Sequence, residues 1–206
     1  MRREGLATVR KEQILSAAAL VVDRRGFERA TMRNVASVAG VSTGLVNHYF
    51  DNREDLLSQT LVFVSERNLS RIRDAVSRGA VDADRLRALV RSSIAVESKG
   101  LDVGSRVWIS ALSYALQSPE IEGVIRDRRL LYQSMIRTIL RPIVDPENTN
   151  TAALETLSAE VDAYLHGISI YIATGEQNFD PTAIEDRFLH IVNDAARQLI
   201  EPAHPA

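Results

Sequence analysis

Apolar residues return along this chain every three to four positions. The runs are long enough for helices, and none shows the strict alternation of a half-buried strand. Ile14, Leu15, Ala18, Val21 and Val22, followed by Phe27, form the first one-sided face, and Gly26 is its stop signal. Two short periodic segments come next. Thr31 is placed to cap one carrying Val35, Ala36 and Ala39, which Gly40 closes. Ser42 or Thr43 can cap the other, which carries Leu45, Val46 and Phe50. Asp51 or Asn52 opens a long helix reaching about residue 77, with Glu54 and Asp55 in its first turn, where the dipole favours acids.

Helices are expected next over about 83–98 and 103–117. Ser118-Pro119-Glu120 combines a cap, a proline at the first helical position and an acid, and opens a helix to about residue 140. Residues 141–153, with two prolines, read as the clearest loop. Leu154, Leu157, Val161, Tyr164, Leu165, Ile168 and Ile172 make another long stripe, and residues 174–181 a second loop. Asp180-Pro181 opens the last helix, with Ile184, Phe188, Ile191, Val192, Ala195 and Leu199 on one face; residues 202–206 read as a frayed tail. The pattern predicts an all-α fold of about nine helices, without internal repeats.

Composition narrows the class. The chain has 206 residues, 45% apolar and 25% charged, the profile of a soluble globular protein able to bury a core. It has no Cys, which excludes disulfides, a thiolate nucleophile and a Cys-ligated zinc, and fits a reducing cytosol. The longest apolar run, residues 17–22, is far too short to span a membrane, and no signal peptide is expected. A cytoplasmic protein is therefore expected. The net charge of -2 hides an asymmetry: residues 1–53 hold nine bases against five acids, a net of +4, and the remainder is net -6. A basic head on an acidic body suits a polyanionic partner, although random scatter would also produce it.

The two short helices around Gly40 match a helix-turn-helix unit. Val35, Ala36, Ala39, Val41, Leu45, Val46 and Phe50 can share a core with Ile14, Ala18 and Phe27. Ser42, Thr43, Gly44, Asn47 and His48, with Tyr49 nearby, then remain outside. Such short hydrogen-bonding groups suit a major groove. Thr31 and Arg33, at the start of the preceding helix, are placed to reach phosphate.

The stretch "TMRNVASVAGVSTGLVNHYFDNREDLL" resembles the DNA-binding signature of the TetR family of bacterial regulators. The likeness rests on Thr31, Val35, Ala36, the Ala39-Gly40-Val41-Ser42 run, Gly44, His48-Tyr49-Phe50 and the acid-rich helix start ending in Leu56-Leu57. It covers roughly residues 8–60, and "STGLVNHYF" is closest in flavour to regulators of the BetI type. Asn47 stands where the family often has Tyr; asparagine suits a bidentate contact with adenine. The resemblance implies a three-helix DNA-binding domain over 1–52 and a helical ligand-binding and dimerisation domain over 53–201. It implies a homodimer on a palindromic double-stranded DNA operator, released by a small-molecule effector, most simply as a repressor. Thr43, Gly44 and Asn47 would approach bases; Thr31, Arg33, Ser42, His48, Tyr49 and Arg53 would hold phosphates. The last two long helices would form the dimer interface, with Leu157, Val161, Leu165, Ile168, Phe188, Ile191 and Val192 as its residues.

A ligand cavity in the helical body is expected among Trp108, Arg106, Tyr132 and Tyr164, against the simpler alternative that these pack the core. Arg106 either meets an anionic ligand or pairs with Glu97. Asp162 with His166 and Asp186 with His190 have metal-pair spacing but no third ligand, so surface or interface pairs are expected, with no metal site and no cofactor. No Ser-His-Asp order, phosphate loop or HExxH motif occurs, and no catalytic residue is assigned. The rival reading is an all-helical enzyme or small-molecule-binding protein with no DNA role.

Overall fold

The computed structural model describes residues 2–79, 82–94, 104–147, 151–174 and 180–200. Among them no strand occurs, and nine α-helices follow in order. They are α1 (Arg2–Arg25), α2 (Met32–Ala39), α3 (Thr43–Tyr49), α4 (Arg53–Ser77), α5 (Asp82–Ile94), α6 (Gly104–Ala115), α7 (Pro119–Val144), α8 (Thr151–Ala173) and α9 (Pro181–Ile200). A single 3-10 turn, Phe27–Arg29, separates α1 from α2. No helix among the described residues is long and apolar enough to cross a membrane.

The punctuation acts as its chemistry dictates. Gly26 (φ 76°) and Gly40 (φ 67°) take the left-handed backbone that ends α1 and α2. Thr31 and Ser42 accept the Asn34 and Leu45 N–H groups at 3.2 and 3.1 Å, capping α2 and α3. Asn52 accepts from the Asp55 N–H at 2.8 Å at the start of α4, and Asp180 from the Thr182 N–H at 2.9 Å at the start of α9.

The helices form two compact units, one drawn from residues 1–68 and 101–128, the other from 69–100 and 129–206. In the first, Ile14, Ala18, Phe27, Val35, Ala36, Ala39, Val46 and Phe50 join Leu56, Leu57 and Leu61 of α4, Val107 and Ala111 of α6, and Ile121 of α7. Val41 packs on this core from a partly buried position; Leu45, expected there, is half-buried outside it. At about 1.5–3 kcal/mol per fully buried large apolar side chain, this core fixes how α2 and α3 are held.

The second unit is built around Ile72, Leu86, Leu89, Ile136, Leu140, Leu154, Leu157, Val161, Leu165, Phe188 and Val192. This overturns the interface expected from the helical stripes. Leu157, Val161, Leu165, Ile168, Phe188 and Val192 are all at most 8% exposed within the single chain, so they pack their own protomer's core and are closed to a second subunit. Ile191 alone of that set is half-buried.

The expected loop over 141–153 also shrinks. Helix α7 runs through Pro142 to Val144, and α8 starts at Thr151. Pro142 forfeits one hydrogen bond, but the Asp145 N–H still reaches the Arg141 carbonyl at 2.9 Å, and Val144 is buried at 2% exposure. Near a helix end, that burial outweighs the missing bond. The expected extension of α5 to residue 98, Glu97, Val103 and the tail 202–206 lie outside the described residues.

Candidate nucleic-acid interface

Helix α3 has seven residues, and only Val46 is buried. Its apolar side meets the head's core through Val46 and, beyond the helix end, Phe50. Ser42, Thr43, Gly44, Asn47 and His48 are exposed, and Tyr49 is half-buried against the core with its ring edge-on to His48 at 5.3 Å. The α2–α3 turn is held by the Val41 N–H on the Ala36 carbonyl at 3.0 Å. Gln13 of α1 adds a donor to the Ala39 carbonyl at 2.8 Å. A Cβ at Gly44 would meet nothing closer than Ser42 Oγ at 3.9 Å, so packing within the protein does not demand glycine there. Thr31 and Arg33 are exposed at the start of α2.

Eight of the nine residues assigned to DNA from sequence therefore lie on or beside the two short helices. Arg53 is the exception. Its Nε donates to the Ala30 carbonyl at 3.2 Å and its Nη2 to the Phe27 carbonyl at 2.6 Å. Its Nη1 reaches the Glu54 carboxylate at 3.1 Å and the Tyr114 hydroxyl at 2.8 Å. The guanidinium also lies 5.5 Å from the centre of the Tyr114 ring. A cation already bonded to two carbonyls, a carboxylate and a phenol acts as a clasp within the fold. Tyr114 completes it: its hydroxyl donates to Glu54 at 2.9 Å, and its ring stacks on Phe27 at 5.6 Å. On the same helix, Ser110 Oγ accepts the Phe27 N–H at 3.0 Å. Helix α6 thus fastens the turn that precedes α2. Sequence spacing cannot reveal these partners, which are 60 and 83 residues apart.

The expected ligand set does not come together within one unit. Trp108 and Arg106 belong to the first, where Trp108 packs partly buried on the core and Arg106 is exposed. Tyr132 and Tyr164 belong to the second. There the Tyr132 hydroxyl lies 3.2 Å from Ser93 Oγ and its ring is edge-on to His166 at 5.7 Å; the Tyr164 ring packs on Phe188 at 5.6 Å. Burial pushes the Tyr132 phenol up to about 12, against the opposing hydrogen bond from Ser93, and raises that of Tyr164. His166 Nδ1 meets Asp162 Oδ1 at 2.8 Å, and Gln133 donates to the other carboxylate oxygen at 3.1 Å. Burial opposes charge on both partners, but their mutual hydrogen bond and attraction win. They hold His166 above, and Asp162 below, its ordinary value. His190 pairs with Asp194 at 3.1 Å, in place of the expected Asp186, which lies 3.9 Å from Arg87.

Comparison with known proteins agrees with the head's geometry. Residues 14–60 match the family model described as bacterial regulatory proteins, tetR family, and residues 82–200 match that of the BetI-type transcriptional repressor, C-terminal. The chain is 27% identical over 199 residues to an HTH-type transcriptional regulator BetI from Vibrio parahaemolyticus, covering 94% of each. Its fold is similar to that of a proposed transcriptional regulator from Pseudomonas aeruginosa PAO1, with a TM-score of 0.79 at 21% identity over 95% of each chain. A proposed regulator from Saccharomonospora viridis, solved in complex with choline, is similar with a TM-score of 0.74 at 18% identity, over 88% of this chain and 94% of that one.

Proposed function

The chain belongs to the TetR family and is a DNA-binding transcriptional regulator of the BetI type, not an enzyme, and from that premise we propose that it is an effector-released repressor that binds a palindromic operator as a homodimer in the cytoplasm. The observation that carries this reading is the outer face of α3. Thr43, Gly44 and Asn47 are exposed on a helix whose other side is anchored in the head's core. Side chains of this kind reach base edges, and glycine allows the backbone itself to approach. Exposed Thr31, Arg33, Ser42 and His48, with Tyr49, flank that face as phosphate contacts.

The dimer is best placed on the opposite side of α8 from the core. Ala152, Thr156, Ala159, Ala163 and Ile170 are exposed at helical spacing, and a Cβ at Gly167 would meet nothing within 4 Å, so a second helix has room to approach. Ala163→Glu is expected to convert a dimer to monomers by sedimentation analysis; an unchanged sedimentation coefficient would remove α8 from the interface. The effector acts only through its unequal affinity for the DNA-competent and released forms.

Titration with random-sequence duplex DNA tests the whole reading. Affinity is expected to fall steeply as salt rises, because each phosphate contact releases counterions. Absence of salt-sensitive binding would leave the rival reading, a small-molecule-binding protein without a DNA role.

A further inference from the structure

Residues 2–13 of α1 precede the segment that matches the tetR family model, which begins at residue 14. From Leu6 onward, Ile14 is also the first buried residue of the helix. Before it, Leu6 and Val9 are 68% and 64% exposed, and Arg10 is exposed. Residues 6–13 add little to the core. The sequence of residues 2–13 holds Arg2, Arg3, Arg10 and Lys11 against Glu4 and Glu12, a net of +2.

Two contacts fix where the extension leaves the head. Gln13 donates to the carbonyl of Ala39, the last residue of α2, and the Lys11 ammonium lies 5.6 Å from the centre of the Phe50 ring, just past α3. The helix therefore passes both the turn before α3 and the residue that follows it. At about 100° per residue, Leu6 and Val9 share the side of Gln13, so that side continues outward along the line of the turn.

We infer that this extension is a second duplex-binding element, which sets Arg10 and Lys11 along phosphates flanking the site read by α3. The inference rests on the proposed DNA-binding reading. Its occupant is double-helical DNA because the stretch is basic and adjoins the reading helix. At 1.5 Å per residue the twelve positions span about 18 Å, roughly five base-pair steps. The exposed Arg10–Gln13 hydrogen bond of 2.8 Å is of a kind readily exchanged for a phosphate.

The test uses the full chain and a random-sequence duplex. A variant carrying Arg10→Gln and Lys11→Gln is compared with the unaltered protein across a salt series. Each phosphate that the variant leaves without its cation is expected to lower the slope of log affinity against log salt by about 0.9 and the affinity near physiological salt by about fivefold. The unfolding midpoint is expected to stay put. Arg10→Gln alone repeats the test at an exposed side chain, without disturbing the Lys11–Phe50 contact. If the unaltered protein binds and both variants keep its slope and affinity, the inference falls while the DNA-binding reading stands. A change in the sedimentation of the free protein would also overturn it, by making a second copy of the chain the occupant. If the unaltered protein shows no salt-sensitive binding, the underlying reading fails first.

Discussion

The outer face of α3 and the interior of the second unit place their polar groups in opposite ways. On α3, Thr43, Asn47 and His48 stand in solvent. In the second unit, Asp162 is 6% exposed, and its carboxylate is paired with His166 and accepts a hydrogen bond from Gln133. Tyr132 closes on Ser93, and Arg91 reaches the buried carboxylate of Glu185 at 2.6 Å. A buried polar group is costly unless a partner meets it, so the second unit meets its needs internally. An exposed one bears no such cost and stays available. The contrast separates polar side chains that hold the fold from those that are on offer to another molecule.

Arg53 is the sharpest place to break that contrast, because sequence put it in the second class and the structure puts it in the first. Arg53→Ala leaves the Ala30 carbonyl without its donor, the Phe27 carbonyl with only the Ala30 N–H, and the Glu54 carboxylate with only the Tyr114 hydroxyl. The expected loss is about 2–3 kcal/mol of stability in denaturant unfolding, with the salt slope of DNA binding unchanged. A flattened slope at unchanged stability would return Arg53 to the phosphate contacts. Asn47→Ala should behave oppositely. Stability stays the same, operator affinity falls by about 1–3 kcal/mol, and preference relaxes at one base position in a binding-site selection. Equal binding to all sequences before and after the change would deny Asn47 a base contact.

The smallest effect is expected at His166. Its folded-state value is raised, so its contribution is fully present below its ordinary value of 6.5 and is lost as pH climbs through the raised one. Asp162 is depressed, so its share is present above its ordinary value of 3.8 and is lost as pH falls through the lowered one. The pair thus stabilises most between mildly acidic and neutral pH. His166→Gln should flatten the alkaline side of the plot of unfolding midpoint against pH; an identical plot would mean that the pair contributes nothing to pH dependence.

Much of the head was legible because its information is local. Thr31 with Asn34, Ser42 with Leu45, and the positive φ of Gly40 are events within four residues, and type and spacing state them outright. The all-helical architecture followed from the same periodicity. Burial direction was less legible. An apolar stripe such as Leu157, Val161 and Leu165 says that it must be covered, not by what, and it proved to be covered by its own chain. The Arg53–Glu54–Tyr114 clasp depends on a helix arriving from 60 positions away, for which no local pattern exists. Pro142 carries a local penalty that sequence shows plainly, while the buried place of neighbouring Val144, which outweighs it, is a tertiary matter.

The hydroxyl of Ser42 has one further implication. Its oxygen is committed to the Leu45 amide, yet a hydroxyl keeps a hydrogen of its own to give away. Aspartate would start the helix equally well but would bring a negative charge toward a polyanion; alanine would be harmless to the polyanion but would leave the amide without its acceptor. Over generations of drift, this one position can wander only among serine, threonine and asparagine without surrendering either duty.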